Sequence, residues 1–228
     1  MMINKLSVKE AINFYYLSNI ANIATSHLPK FMDFYNNVSR DIASGLFDFA
    51  KPIKRRCKTD TSVFKQEFGF DLPQDIEDYI NIYWHGFLIG AYTEPKDSVL
   101  SSDDAVLFPI VKLSGETEKD VLYRKYNGFM WRAKYWSENA DITKYIPVGY
   151  TLYYDYHILY EVSSGKIFTE DEDVDFQPSK QPVADSLAEF ITKIKVGGSY
   201  EISGISVKDI KTDQYLYAKY MIDLNDEN

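Results

Sequence analysis

Residues 157–169 read as a β-hairpin, and no other stretch narrows the fold as much. His157 to Val162 and Lys166 to Thr169 are strand-like runs, separated by Ser163, Ser164 and Gly165. A short glycine-containing turn between two such runs joins antiparallel neighbours. Two more strand-like runs come earlier, Phe87 to Tyr92 and Ala105 to Val111. Tyr145 to Tyr150 is another, and it is predicted to be an edge or interrupted strand because Pro147 has no N–H to give to a ladder.

Helical patterns flank these strands. Ser7-Val8-Lys9-Glu10 has the form of a capping box, so a helix is predicted to begin there, with Ala11, Phe14, Tyr15, Leu17 and Ile20 on its apolar face. A second short helix is predicted around Phe31 to Val38. Pro73 opens a third, with Asp75, Glu77 and Asp78 near its positive end and Ile76, Tyr79, Ile80 and Tyr83 as its stripe. That helix is expected to stop near Trp84-His85-Gly86. One helix is predicted from Glu116 to about Trp136, weakened by Gly128, and another over Ala184 to Ile194, ended by Gly197-Gly198. Sequential strands grouped between helices indicate an α+β fold with a mainly antiparallel sheet. The expected organisation is an N-terminal helical arm (1–60), an α+β core (61–196) and a C-terminal extension (197–228).

Composition and charge narrow the function. Lys and Arg total 25 against 34 Asp and Glu, a formal charge of −9. The densest basic cluster, Lys51, Lys54, Arg55, Arg56 and Lys58, is short and lacks interleaved aromatics. A phosphate backbone needs more than that, so nucleic acid is excluded as the expected partner. An acidic surface favours a basic protein partner, and it also serves simple solubility. The 19 Tyr and 14 Phe suit half-buried sheet faces and interfaces alike. Cys57 is the single cysteine, so no internal disulfide and no Cys/His metal spacing is expected. No apolar run reaches the roughly 18 residues of a membrane span, and the first residues show no secretory apolar core, so a cytoplasmic protein is expected.

A search for catalytic patterns finds no phosphate-cradling glycine loop and no nucleophile elbow. No cofactor is expected. His27, His85 and His157 lie far apart in the chain. A small hydrolase using His85 or His157 would need a carboxylate or hydroxyl within about 3.2 Å of the ring. The acid run Glu170, Asp171, Glu172, Asp173 and Asp175 reads either as a solvated loop or as a binding edge for a basic partner.

Two segments together carry a resemblance. Phe68-Gly69-Phe70-Asp71-Leu72-Pro73, then Ile76 to Ile80, then Trp84-His85-Gly86, resembles the opening of the SUKH superfamily. Tyr160 to Ile167, the acid run and then Val183 to Ile191 resemble its closing hairpin and last helix. Within the superfamily the chain is most similar to the Syd branch over residues 64–195. The resemblance implies a bent sheet packed with helices, no catalytic site, and a cytoplasmic protein that binds another protein. Two partners follow from it: a bacterial toxin neutralised by an immunity protein, or basic cytoplasmic loops of the translocon subunit SecY. The N-terminal arm and the residues beyond Gly197 depart from the Syd pattern, which favours the immunity reading. The expected protein-binding residues are Glu170, Asp171, Glu172, Asp173, Asp175, Trp84 and His85.

Overall fold

The computed structural model describes residues 6–23, 52–93, 99–101, 103–112 and 115–195. The helix expected around Phe31 to Val38 and the C-terminal extension expected over 197–228 lie outside them. Helix α1 spans Val8–Ile23. Its start is the expected capping box: Ser7 N donates to Glu10 Oε2 (2.9 Å), and Glu10 N donates to Ser7 Oγ (3.3 Å). Its buried face is Val8, Ala11, Ile12, Tyr15 and Tyr16, whereas Phe14 is exposed.

Strand β1 (Ile53–Lys54) pairs antiparallel with β2 (Tyr83–Trp84). Between them lie α2 (Ser62–Phe68) and α3 (Gln74–Asn81). Pro73 caps α3 at its N-terminus, and Asp75 and Glu77 occupy the first turn, as expected. The helix stops at Asn81, short of Trp84, because the following residues leave to pair with β1. Asn81 Oδ1 accepts from Thr59 N (2.7 Å), which anchors that departure.

The main sheet holds β3 (Leu88–Tyr92), β4 (Ala105–Leu107), β5 (Tyr145–Thr151), β6 (His157–Glu161), β7 (Ile167–Thr169) and β8 (Ile194–Lys195). Its order is β7-β6-β5-β4-β3-β8, and every pairing is antiparallel. The β6–β7 hairpin turns where predicted: Gly165 sits at φ 76° and its N–H donates to Glu161 O (2.8 Å). Of the two outcomes expected for β5, an edge or an interrupted strand, the second holds: β5 lies between β4 and β6, and its pairing with β6 is interrupted beside Pro147. Pro147 is tolerated there for a local reason. β4 ends at Leu107 opposite Gly149, so Pro147 lies past that ladder, and the β5–β6 register shifts between Pro147 and Gly149.

The predicted helix from Glu116 to Trp136 is two helices, α4 (Glu118–Tyr123) and α5 (Phe129–Ser137). The last helix, α6, is shorter than predicted, at Leu187–Thr192. Its expected ends are taken by the sheet: Ala184 bridges to Ile167, and Ile194 pairs with Tyr92. Ser186 Oγ accepts from Glu189 N (3.1 Å) and caps it.

Helix α1 packs against α6, α3 and β8. Tyr15 is buried, and its hydroxyl both donates to Ile89 O and accepts from Ile89 N, each at 2.9 Å. The first helix thus shares one hydrophobic core with the sheet. Strands β4 and β7 are buried at every position, as is β5 after its first residue. Successive strand residues point to opposite faces, so both faces of the sheet are covered there. The fold is α+β, with a curled antiparallel sheet packed against helices.

Candidate functional site

The turn and loop at one end of the sheet emerge side by side. The β5–β6 turn, residues 152–156, ends at His157, and the acid run begins at Glu170, directly after β7. Glu170 N donates to His157 O (2.8 Å), so these two segments leave the sheet as neighbours. Asp103 and Asp104 join them, because they precede β4, whose Ala105 pairs with Thr151.

A buried charged side chain fastens each projecting segment. Asp103 is buried, and its carboxylate accepts from Tyr153 N (3.0 Å), Tyr154 N (3.0 Å) and Asp104 N (2.7 Å). Arg132, buried on α5, donates from Nε to Tyr126 O (3.0 Å) and from Nη2 to Asp155 Oδ1 (2.5 Å). Glu170 is buried, and Oε2 accepts from His157 N (2.9 Å) and faces His157 Nδ1 at 2.6 Å. Its Oε1 accepts from Phe176 N (2.6 Å). Burial alone would raise the Glu170 pKa, but these bonds from His157 and Phe176 outweigh it and hold the carboxyl below its ordinary 4.5.

Among the described residues, the non-glycine positions with positive φ are Tyr126, Asp155 and Phe176, and all three lie on segments held in this way. Left-handed backbone at such residues is strained and persists only where the surroundings impose it. What these segments present is aromatic. Tyr153 and Tyr154 are 64% and 63% exposed, the largest values among the exposed large hydrophobics. Tyr126 meets Trp131 at a tilt (5.0 Å between centroids), Trp131 lies parallel to Tyr135 (5.7 Å), and Tyr135 meets Phe176 (5.6 Å). Aromatic and arginine residues on a fixed backbone are the usual anchors of protein interfaces.

The acid run divides within this frame. Glu170 is buried, which corrects its expected place on a binding surface: it holds the loop and does not face out. Glu172, Asp173 and Asp175 are exposed and Asp171 is half-buried. The loop is closed on itself, since Asp171 N donates to Gln177 O (2.8 Å) and Asp173 N to Asp171 Oδ1 (2.9 Å).

Trp84 and His85 are corrected more fully. They are 1% and 0% exposed and present no surface to a partner. The guanidinium of Arg55, itself buried, lies 3.7 Å from the Trp84 ring centroid and donates to Ile80 O, Thr59 Oγ1 and Glu118 Oε2. The basic cluster read in the sequence is therefore split, with Arg55 inside and Lys54, Arg56 and Lys58 outside. His85 packs edge-on against Tyr79, and its ring nitrogens face the carbonyls of Gly86 (2.8 Å) and Tyr79 (3.4 Å). Burial pushes its pKa down to about 4, against those two carbonyls and with help from Arg55.

This burial has a consequence for stability. Below pH 6.5 the unfolded chain protonates His85 and the folded chain does not until about pH 4, so stability falls as pH drops through that window. Asp104 works in the opposite sense. Burial and Asp103 raise its pKa to about 6, so it stabilises on acidification and loses that contribution as pH rises through 6. Urea unfolding of a His85→Gln variant is expected to show a flatter limb between pH 6.5 and 4.5 than the parent, the parent losing roughly 2 kcal/mol more through this group. Parallel limbs would show that His85 does not titrate as its burial dictates.

Among the described residues no group of three or more His, Cys, Asp or Glu side chains is placed to hold a metal ion. No described helix is long and apolar enough to cross a membrane. Neither a protein-family model nor a curated protein matches the chain. The tyrosine turn escaped the sequence reading, although its signal was visible: Tyr153-Tyr154-Asp155-Tyr156 stands between two strands, where glycine, asparagine or proline is usual.

Proposed function

We propose that this chain is a non-catalytic cytoplasmic domain that binds a basic protein partner at the end of its sheet, as an immunity protein that neutralises a toxin. The observation that carries the reading is the juxtaposition of an exposed acidic loop with exposed aromatics on segments pinned by buried charges. Pre-fixed loops lose little entropy on docking, aromatic anchors supply affinity, and the carboxylates supply steering and register. A phosphate-binding nuclease domain is basic where it holds its substrate, so it fits such a face. The particular choice of a toxin rests on the resemblance to the SUKH superfamily.

The hydrolase alternative keeps one feature, because His157 does meet a carboxylate within hydrogen-bonding distance. Both partners are buried, however, and Glu170 is occupied by two backbone N–H groups as well. The pair reads as a loop fastener.

The test replaces Asp171, Glu172, Asp173 and Asp175 by their amides and leaves Glu170 in place. Asn at 171 retains the acceptor for the Asp173 N–H. Titrated against any toxin domain found encoded beside its gene, this variant is expected to bind about tenfold or more weakly, with a shallower dependence on salt. It should also protect co-expressing cells less well. Unchanged affinity and salt slope would reduce the loop to a solvated one. Binding to SecY loop peptides with no binding to the toxin domain would assign the Syd-like adaptor role instead.

A further inference from the structure

Resting on that reading of a basic partner, we propose that the tyrosine turn is an arginine-reading site: Tyr153, Tyr154, Asp155 and Tyr156 receive a guanidinium from the partner and discriminate against lysine.

The turn has both parts of a guanidinium site. The rings of Tyr154 and Tyr156 lie 6.0 Å apart, inclined by 32°, and Asp155 stands between them in the chain. The Asp155 side chain is 53% exposed. Arg132 takes its Oδ1, and Oδ2 has no donor among the described residues. Tyr153 and Tyr154 are exposed and Tyr156 is half-buried, and a carboxylate oxygen on the same turn as exposed aromatic rings suits a planar cation that stacks and hydrogen-bonds at once. A lysine ammonium is a compact, strongly hydrated point charge that gains less from such a ring.

The chain already uses this chemistry on the inner side of the same carboxylate. The Arg132 guanidinium binds Asp155 while lying 4.9 Å from the Tyr150 ring centroid and 5.5 Å from that of Trp131. Asp155 is therefore a two-sided acceptor, with one oxygen turned to an internal arginine and aromatic pair. The outer side offers the same combination to a visitor.

The turn is also rigid. Asp103 accepts from the backbone of Tyr153 and Tyr154, Asp155 N donates to Thr151 O (3.0 Å), and Tyr156 N donates to Thr151 Oγ1 (3.2 Å). The neighbouring Asp171, Glu172, Asp173 and Asp175 raise the local concentration of any basic segment without choosing between lysine and arginine. Attraction thus belongs to the loop, and selection to the turn.

The test uses the full chain and two short synthetic peptides of equal charge and length, one with arginine and one with lysine at every basic position. Affinities are read by fluorescence anisotropy at low and at physiological salt. The arginine peptide is expected to bind about tenfold more tightly. A Tyr153→Ala/Tyr154→Ala variant should lose that preference and keep the salt-dependent binding of both peptides. The loop variant with residues 171, 172, 173 and 175 neutralised should weaken both peptides alike and keep the ratio. Equal affinities in the parent, or a preference that survives the tyrosine substitutions, overturns the arginine site while leaving the acidic face intact. Binding of neither peptide overturns the basic-partner reading and the site with it. All substituted side chains project from the surface except the half-buried Asp171, and unchanged thermal melting of both variants confirms that they fold.

Discussion

Glu170→Ala is expected to lower the unfolding free energy by about 3 kcal/mol or more, because it leaves several buried polar partners unsatisfied at about 1–3 kcal/mol each. The carboxylate accepts from His157 N and Phe176 N and pairs with the His157 ring. All of these bonds vanish together. His157 Nε2 already lacks a partner among the described residues and is buried, so the substitution leaves the whole imidazole unsatisfied. Phe176, at φ 58°, loses the bond that holds it in a left-handed conformation. A Glu170→Gln variant recovers only part of the loss, because its amide NH2 faces donors where the carboxylate faced them as an acceptor. The sign of the pH dependence follows from the depressed pKa. The stabilisation is full above the ordinary 4.5 and fades as pH falls through the lower folded-state value. Urea unfolding of parent and Glu170→Gln should therefore converge below about pH 4.5. A gap that stays constant to lower pH would show that the carboxylate does not act as a charged acceptor. Partner binding adds a second readout. At a temperature where the variant is still folded, the loop of residues 171–177 should bind more weakly than in the parent, since its closing hinge at Phe176 is loosened.

How much of this was legible in the sequence depended on whether the deciding contacts were local. The β6–β7 hairpin and the Ser7–Glu10 cap are settled within a few residues, and both stand as read. Pro147 marks either an edge or an interruption by the same local rule, and the interruption is what the β5–β6 register shows; that β5 lies inside the sheet is a non-local property the rule does not reach. Trp84 is expected on the binding surface, alongside the resemblance carried by Trp84-His85-Gly86. Its burial is decided by Arg55, twenty-nine residues earlier, whose guanidinium covers the ring. The same holds within the acid run. Nothing in Glu170-Asp171-Glu172-Asp173 marks the first member as different; the difference lies in its facing His157 across the β6–β7 pair. The tyrosine turn was missed because its residues are poor turn formers. The structure supplies the compensation as Asp103, fifty residues away in sequence, which accepts from the turn's own N–H groups.

Gly128→Ala separates the two readings by sign. If residues 116–136 formed one helix, alanine at 128 would stabilise it by about 1 kcal/mol. The structure requires the reverse. Gly128 is the N-cap of α5, at φ −89° and ψ 137°, a conformation open to any residue, so the penalty is not conformational. It is steric. A Cβ there would stand 2.4 Å from both Arg124 N and Arg124 O, and 2.6 Å from Leu122 O. These are backbone atoms of the preceding helix and its exit, and no rotamer change relieves them. The approach is enforced by the bond from Gly128 N to Arg124 O (2.6 Å), which folds the chain back after α4. Relief requires α5 to move away from α4, and α5 carries Arg132, whose guanidinium holds Tyr126 and Asp155 in place. The substitution is expected to destabilise by about 3 kcal/mol, near the upper end for overpacking, which corresponds to a fall of roughly 6–12 °C in Tm for a chain of this size. Thermal melting followed by circular dichroism reads the sign directly, and a rise in Tm would restore the single helix. The displacement should also reach the surface: at a temperature where the variant is folded, arginine-over-lysine discrimination should weaken, because the strut beneath Asp155 has shifted while Tyr153 and Tyr154 remain intact.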